Sequence, residues 1–102
     1  MYLIQLLLPL SDNRGERFTR APFAEVEREL VAKFDGFTAY PRAPASGLWK
    51  SPSDDVKKDD MVIYEVLVKT LDNAWWTRYR SDLEARFEQE AIHIRATPTE
   101  LL

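Results

Sequence analysis

The chain has no cysteine, only three glycines and a single histidine among its 102 residues. Without cysteine, disulfide bonds, thiolate metal centres and cysteine nucleophiles are all excluded. One histidine leaves a metal ion little beyond carboxylates as ligands, and no ligand spacing is recognisable, so we expect no metal and no cofactor. An excess of positive charge is also missing, since the net charge is −3. This argues against nucleic acid and against an anionic membrane as partners.

No apolar run is long enough to span a bilayer. The most apolar segment, Tyr2–Leu10, resembles the middle of a signal peptide, but no basic segment precedes it and no small-residue cleavage site follows it. We therefore expect a buried strand there and a cytoplasmic protein. The composition is 45% hydrophobic and 30% charged, which is ordinary for a globular chain. At this length, residues 1–102 are predicted to form one domain.

Four segments have the apolar and β-branched content of strands. They are Tyr2–Leu10, Phe37–Tyr40, Met61–Thr70 and Ala91–Thr97. Between Pro41 and Asp60 the chain is irregular, and a hairpin is predicted with arms at Leu48–Lys50 and Val56–Lys58. An insertion of this length often carries function.

Apolar residues at helical spacing mark two further segments. Pro22 suits a first helical turn, where its missing N–H costs nothing, and Gly36 suits the left-handed residue that ends a helix. These signals predict the first helix over Pro22–Asp35. The second helix is expected to begin after a cap at Asp72 or Asn73. Its apolar stripe consists of Trp76, Tyr79, Leu83 and Phe87.

The order strand, helix, strand, hairpin, strand, helix, strand predicts an α+β, ferredoxin-like βαββαβ fold. In that fold an antiparallel sheet carries two helices on one face, and here a hairpin is inserted between strands two and three. Right-handed crossovers then require strand one to lie between strands three and four.

Alternation along the strands separates two sheet faces. The almost wholly apolar set is expected beneath the helices: Tyr2, Ile4, Leu6, Leu8, Val62, Tyr64, Val66, Val68, Ile92, Ile94 and Ala96. The mixed set defines the open face: Leu3, Gln5, Leu7, Met61, Ile63, Glu65, Leu67, Lys69, Ala91, His93 and Arg95. A monomer would expose several large aliphatic side chains on that face. We therefore predict a homo-oligomer joined through the open sheet face.

Three polar residues share one phase on the open face: Gln5, Glu65 and His93. With strand one central, Gln5 is expected between the other two. A carboxylate near an imidazole can orient a general base, so the trio is a candidate catalytic site. The alternative is a hydrogen-bonded polar cluster at a dimer seam. We favour the seam, because a lone trio of this kind specifies no reaction.

The segments Gly47-Leu48-Trp49 and Phe87-Glu88-Gln89-Glu90 are similar to motifs in a group of small bacterial proteins of unknown function. That resemblance covers most of the chain through short motifs. It implies a ferredoxin-like fold, with a dimeric α/β-barrel as one form of it. It implies no established activity and no catalytic residues.

Two functions are expected from these observations. The first is a homo-oligomeric domain for small-ligand binding or protein interaction. The alternative is a small cofactor-free enzyme, monooxygenase-like or isomerase-like, that uses His93 and Glu65 in the pocket of a dimeric α/β-barrel. An RNA-binding module is disfavoured, because such modules stack bases on aromatic residues of the central strands and this open face has none there.

Overall fold

The computed structural model describes residues 1–42 and 61–102, with only the backbone of residues 41 and 42. The hairpin predicted at Leu48–Lys50 and Val56–Lys58 lies outside the described residues. The elements are β1 (Tyr2–Pro9), α1 (Ala21–Phe34), β2 (Thr38–Arg42), β3 (Met61–Val68), α2 (Asn73–Arg86) and β4 (His93–Pro98). All six coincide with predicted segments to within about two residues at each end.

The four strands form one sheet in the order β2-β3-β1-β4, and each neighbouring pair is antiparallel. β1 pairs with β3 along its whole length, from Tyr2 opposite Val68 to Pro9 opposite Met61. β1 therefore lies between β3 and β4, as the crossover argument predicts. The α+β class with two helices and a four-stranded antiparallel sheet is confirmed. The closer assignment to the ferredoxin-like fold stays a prediction.

A side-chain cap begins α2, and a residue in the left-handed conformation ends α1. Asp72 caps α2, since its side chain accepts a hydrogen bond from the Trp75 N–H over 3.1 Å, which confirms one of the two predicted caps. α1 ends at Asp35, which has φ of 68° and donates its N–H to Val31. The prediction that Gly36 takes the left-handed conformation is wrong. Aspartate is among the few other residues that tolerate this region, so the helix ends one residue earlier.

The helix-facing side of the sheet forms the core with both helices. These residues of that side are buried as predicted: Ile4, Leu6, Leu8, Tyr64, Val66, Val68 and Ile92, the last just before β4. They pack against Phe23, Val26, Leu30, Trp76, Tyr79, Leu83 and Phe87. Ala96, assigned to the same face, is exposed near the end of β4. Both helices therefore cover one face, and the other face of the sheet carries the mixed set of side chains.

The open face is less exposed than the sequence suggests. Leu7 and Ile63 are only 5% and 9% exposed within the single chain, whereas Leu67 is 44% exposed. Tyr40 lies opposite Ile63 and its hydroxyl reaches Glu65, two residues along β3. The Tyr40 side chain therefore lies on the same face of the sheet as Ile63 and Glu65. The sequence predicts several exposed large aliphatic side chains on this face; Leu67 is one of them, whereas Leu7 and Ile63 are buried within the single chain.

No helix in the described part of the chain is both long and apolar enough to cross a bilayer.

Candidate functional site

A line of four polar residues crosses the open face, one from each strand. Glu65 lies opposite Thr38 on β2 and opposite Gln5 on β1. Gln5 in turn lies opposite Arg95 on β4. The polar row therefore reads Thr38, Glu65, Gln5, Arg95 from one edge of the sheet to the other. Residues directly opposite each other share a face, so all four side chains belong to the same surface.

Glu65 is the centre of the hydrogen bonding in this row. The Gln5 amide Nε2 donates to Glu65 Oε2 over 2.8 Å. The Tyr40 hydroxyl donates to the same carboxylate oxygen over 2.6 Å. Two donors on one oxygen are a short, charge-assisted arrangement that holds the carboxylate in a single orientation.

The Tyr40 hydroxyl is held in its protonated, donating form. Its hydrogen bond to Glu65 raises the pKa of Tyr40, and loss of hydration and the negative charge of Glu65 act in the same direction. The nearby Gln5 amide opposes this effect. Tyr40 is 38% exposed, so this donor sits at the surface of the site. The cluster is therefore a neutral donor, an amide and a carboxylate.

His93 does not join Gln5 and Glu65. β4 is in register such that His93 lies opposite Leu7, one row away from Gln5, and Arg95 takes the place expected for the histidine. The His93 side chain is exposed, and within residues 1–42 and 61–102 it makes no hydrogen bond or ion pair. Alternation assigns a residue to a face but leaves the register open by steps of two residues. Two of the three predicted site residues therefore meet, and the third stands apart.

Sequence reasoning missed two members of this site. Arg95 was placed on the open face, but nothing in the sequence indicated that it would flank Gln5. The Arg95 side chain is exposed and has no ion-pair partner in the described part of the chain. The sequence predicts Tyr40 at the end of strand two and assigns it to neither face. Its contact with Glu65 depends on the pairing of β2 with β3, which only the folded sheet defines.

A second polar cluster lies on the helix side, where α1 begins. Arg20 donates to both carboxylate oxygens of Glu27 over 3.0 and 2.7 Å, and the Tyr64 hydroxyl donates to Glu27 over 2.7 Å. The hydrogen bond from Arg20 lowers the pKa of Glu27, and the one from Tyr64 adds to it, although partial burial opposes both. Burial, then the bond to Glu27, raises the pKa of Tyr64 well above its usual value.

This cluster borders an open groove of about 500 Å³ between the start of α1 and the β2 edge of the sheet. The groove is lined mainly by apolar and aromatic side chains, with the ion pair of Arg20 and Glu27 on one side. Its remaining walls come from Leu10, Phe18, Thr19, Phe23, Ala39, Tyr40, Val62 and Tyr64. The volume lies within the range of small-molecule sites, and the groove is open to solvent rather than enclosed.

A third cluster joins the two helices. Arg86 donates to both carboxylate oxygens of Glu29 over 2.9 and 3.0 Å, and the Tyr79 hydroxyl donates to Glu29 over 2.7 Å. These groups satisfy one another's hydrogen-bonding capacity. The cluster therefore fixes the packing of α1 on α2.

Within residues 1–42 and 61–102, no three histidine, aspartate or glutamate side chains come together in a way that could hold a metal ion. Comparison with known proteins adds no relative: no protein-family model, no curated protein and no solved structure matches the chain. The resemblance to small bacterial proteins therefore stays a prediction, and the functional argument depends on the geometry of the open face and the groove.

Proposed function

We propose that the protein is a ferredoxin-like interaction domain that forms a homodimer through its open sheet face. The fold assignment is supported by the connectivity. Read from the other edge, the sheet order is β4-β1-β3-β2, and each strand-helix-strand unit has one strand inserted between its two strands. Both helices cover the same face, and in the described part of the chain no helix covers the other face.

The observation that carries the proposal is the polar row itself. It places a carboxylate and a guanidinium on one surface, with Gln5 between Glu65 and Arg95. Beside the row lies an apolar pair, Leu3 opposite Leu67, and Leu67 is 44% exposed. A surface with charges of both signs next to exposed leucine is complementary to a copy of itself.

Assembly of two copies also suits the hydrogen bonding. A polar group can be buried in an interface at low cost only if it keeps its hydrogen bonds. Glu65 already accepts bonds from Gln5 and Tyr40 within its own chain. Closed two-fold dimers are the commonest oligomers, and they use one patch twice. Gln5, Glu65 and Tyr40 on the open face keep their hydrogen bonds within one chain.

Sedimentation velocity at micromolar concentration tests the proposal. We expect the wild-type chain to sediment as a dimer and Leu67→Lys to sediment as a monomer with unchanged far-ultraviolet circular dichroism. Val31→Lys is the matched control, because Val31 is 48% exposed but lies on α1, on the opposite side of the sheet. A wild-type monomer at all concentrations, or equal dimerisation of both variants, would contradict the proposal.

The groove beside α1 supports a second function, the binding of a small apolar ligand. Its aromatic lining and volume of about 500 Å³ are the observations that favour it. The fluorescent dye 8-anilinonaphthalene-1-sulfonate can serve as the probe. We expect saturable binding that Ala39→Trp abolishes, because Ala39 lines the groove, and that Ala32→Trp leaves unchanged, because Ala32 is exposed elsewhere on α1. Equal binding to both variants would overturn this function.

A further inference from the structure

The proposed homodimer does not specify how one copy is oriented on the other. The order of the side chains on the open face favours one orientation. Two neighbouring rows of side chains are concerned, and their order across the sheet is known from the strand register. The polar row reads Thr38, Glu65, Gln5, Arg95. The leucine row contains Leu67 on β3 opposite Leu3 on β1. Any such orientation rests on the proposed function, because it requires that the two open faces meet.

Two sheets that pack face to face lie about 10 Å apart, with their mean strand directions within about 30° of each other. The two-fold axis between them can run along the strands or across them. An axis along the strands reverses the order of the residues in each row, so that a row of one subunit lies over the same row of its partner. β1 of one subunit then lies over β3 of its partner, and β4 lies over β2.

In this first arrangement, each residue of the polar row lies opposite a residue of a different type. Gln5 faces Glu65 of the partner subunit, and Arg95 faces Thr38 of the partner subunit. Adjacent strands are about 4.8 Å apart, so the long Arg95 side chain also reaches Glu65 of the partner subunit. In the neighbouring row, Leu3 packs on the partner subunit's Leu67, which removes the exposed part of that side chain from water.

An axis that runs across the strands at the polar row gives poorer charge pairing and covers less apolar surface. Each residue of the row then faces itself, so two Glu65 carboxylates lie together and two Arg95 guanidinium groups lie together. Like charges in contact cost free energy. The leucine row would also fall on Leu7 and Ile63, which the single chain already buries. That arrangement leaves less apolar surface to cover.

We propose that the two-fold axis of the homodimer runs along the strands, so that Arg95 of each subunit forms an ion pair with Glu65 of the partner subunit. The assignment explains why Arg95 has no ion-pair partner in the described part of its own chain. It also gives Glu65 a cationic neighbour in addition to its two hydrogen-bond donors. Two symmetric ion pairs then flank the centre of the interface.

The absence of cysteine allows a direct test by cross-linking. Thr38→Cys and Arg95→Cys chains are prepared separately, mixed, and treated with a short bismaleimide. An axis along the strands brings these positions of different subunits together, so we expect a cross-linked pair in the mixture only. Positions at the same edge of the two subunits are then about three strand spacings apart. Each variant alone should therefore remain uncross-linked.

Other outcomes identify what has failed. Cross-linking of Arg95→Cys alone would mean an axis across the strands, if Leu67→Lys still abolishes the dimer, and would overturn this inference while leaving the open-face dimer in place. The same cross-link with a dimer that Leu67→Lys leaves intact would mean edge-to-edge pairing of β4 and would overturn the proposed function too. A dimer by sedimentation with no cross-link in the mixture would overturn it as well. A wild-type monomer would overturn the proposed function itself, so the two failures are distinguishable.

Charge reversal gives an independent measurement on the same chain. We expect Arg95→Glu to weaken dimerisation by about tenfold, because it replaces two attractive contacts with repulsive ones. The double variant Arg95→Glu/Glu65→Arg should recover dimerisation, since it exchanges the two charges across the interface. Equal dimer dissociation constants for the wild type and Arg95→Glu would contradict the pairing.

Discussion

Gln5 lies directly opposite Glu65 in the antiparallel pair of β1 and β3, and its amide nitrogen donates to the Glu65 carboxylate over 2.8 Å. This bond ties together the two central strands on the open face. It also fixes the carboxylate so that a second oxygen remains for another donor. The exposed Arg95 on the other side of Gln5 shows that the same row carries a charge of the opposite sign. The site is therefore organised by strand register.

Truncation of a core side chain should lower the stability of the fold substantially. Phe87 is fully buried, and its ring packs edge-on against Phe18 with centroids 5.3 Å apart. Phe87→Ala removes these contacts and leaves a cavity, so the free energy of unfolding should fall by about 3–5 kcal/mol. Urea denaturation measures it. Val31→Ala, at an exposed position of α1, should change the free energy by less than about 0.5 kcal/mol. A similar small loss for Phe87→Ala would contradict the core packing.

Acid should destabilise the fold partly through Glu27. The hydrogen bond from Arg20 holds the pKa of Glu27 below the ordinary value of 4.5 in the folded state. The ionised form therefore stabilises the fold above that pH, and the contribution is lost as the pH falls through the lower folded-state value. The Glu27→Gln variant should have a lower free energy of unfolding than the wild type at neutral pH. Its free energy of unfolding should also change less with pH in the acid range. Urea denaturation across that range measures both effects.

A matched control keeps this prediction specific. Glu90 is exposed and makes no hydrogen bond or ion pair in the described part of the chain. Glu90→Gln should therefore reproduce the acid dependence of the wild type. If Glu27→Gln and Glu90→Gln behave alike, the bonds from Arg20 and Tyr64 contribute nothing to stability.

Alkali should destabilise the fold through Tyr79. Burial, then the hydrogen bond to Glu29 and its negative charge, raises the pKa of Tyr79 far above the ordinary 10.0. The folded state keeps this proton while the unfolded chain releases it near pH 10. The stabilisation is therefore complete below that pH and is lost as the pH rises above it. Tyr79→Phe should show a smaller loss of unfolding free energy above about pH 10 than the wild type, and an equal loss would contradict the assignment.

The enzyme alternative depends on contact between His93 and Glu65, which the register does not provide. His93 faces Leu7, whereas Glu65 is two strands away and one row along. We expect the NMR chemical shifts of the His93 ring protons at neutral pH to be the same in the wild type and in Glu65→Gln. Glu65→Ala serves as a second comparison that also removes the hydrogen bonds. A change of these chemical shifts in both variants would show contact between the two side chains and would restore the acid-base site.

The sequence predicts those features of the fold that depend only on residues close together in the chain. The strand and helix positions, the Asp72 cap and the apolar face under the helices follow from short-range periodicity and capping. The order of the strands followed from the handedness of crossovers. The predicted end of α1 is one residue too late, because Asp35 and not Gly36 adopts the left-handed conformation. Aspartate and glycine compete for such positions, and local sequence alone does not rank them here.

Alternation along each strand shows which residues share a face of the sheet, since the direction of a strand side chain alternates with a period of two. Which residues lie side by side depends on how the strands pair in the folded sheet. Register puts Arg95, and not His93, next to Gln5, and the pairing of β2 with β3 brings Tyr40 to Glu65. A shift of two residues preserves every face assignment, so alternation cannot detect it. The contents of the candidate site were therefore set by long-range pairing, which no local pattern encodes.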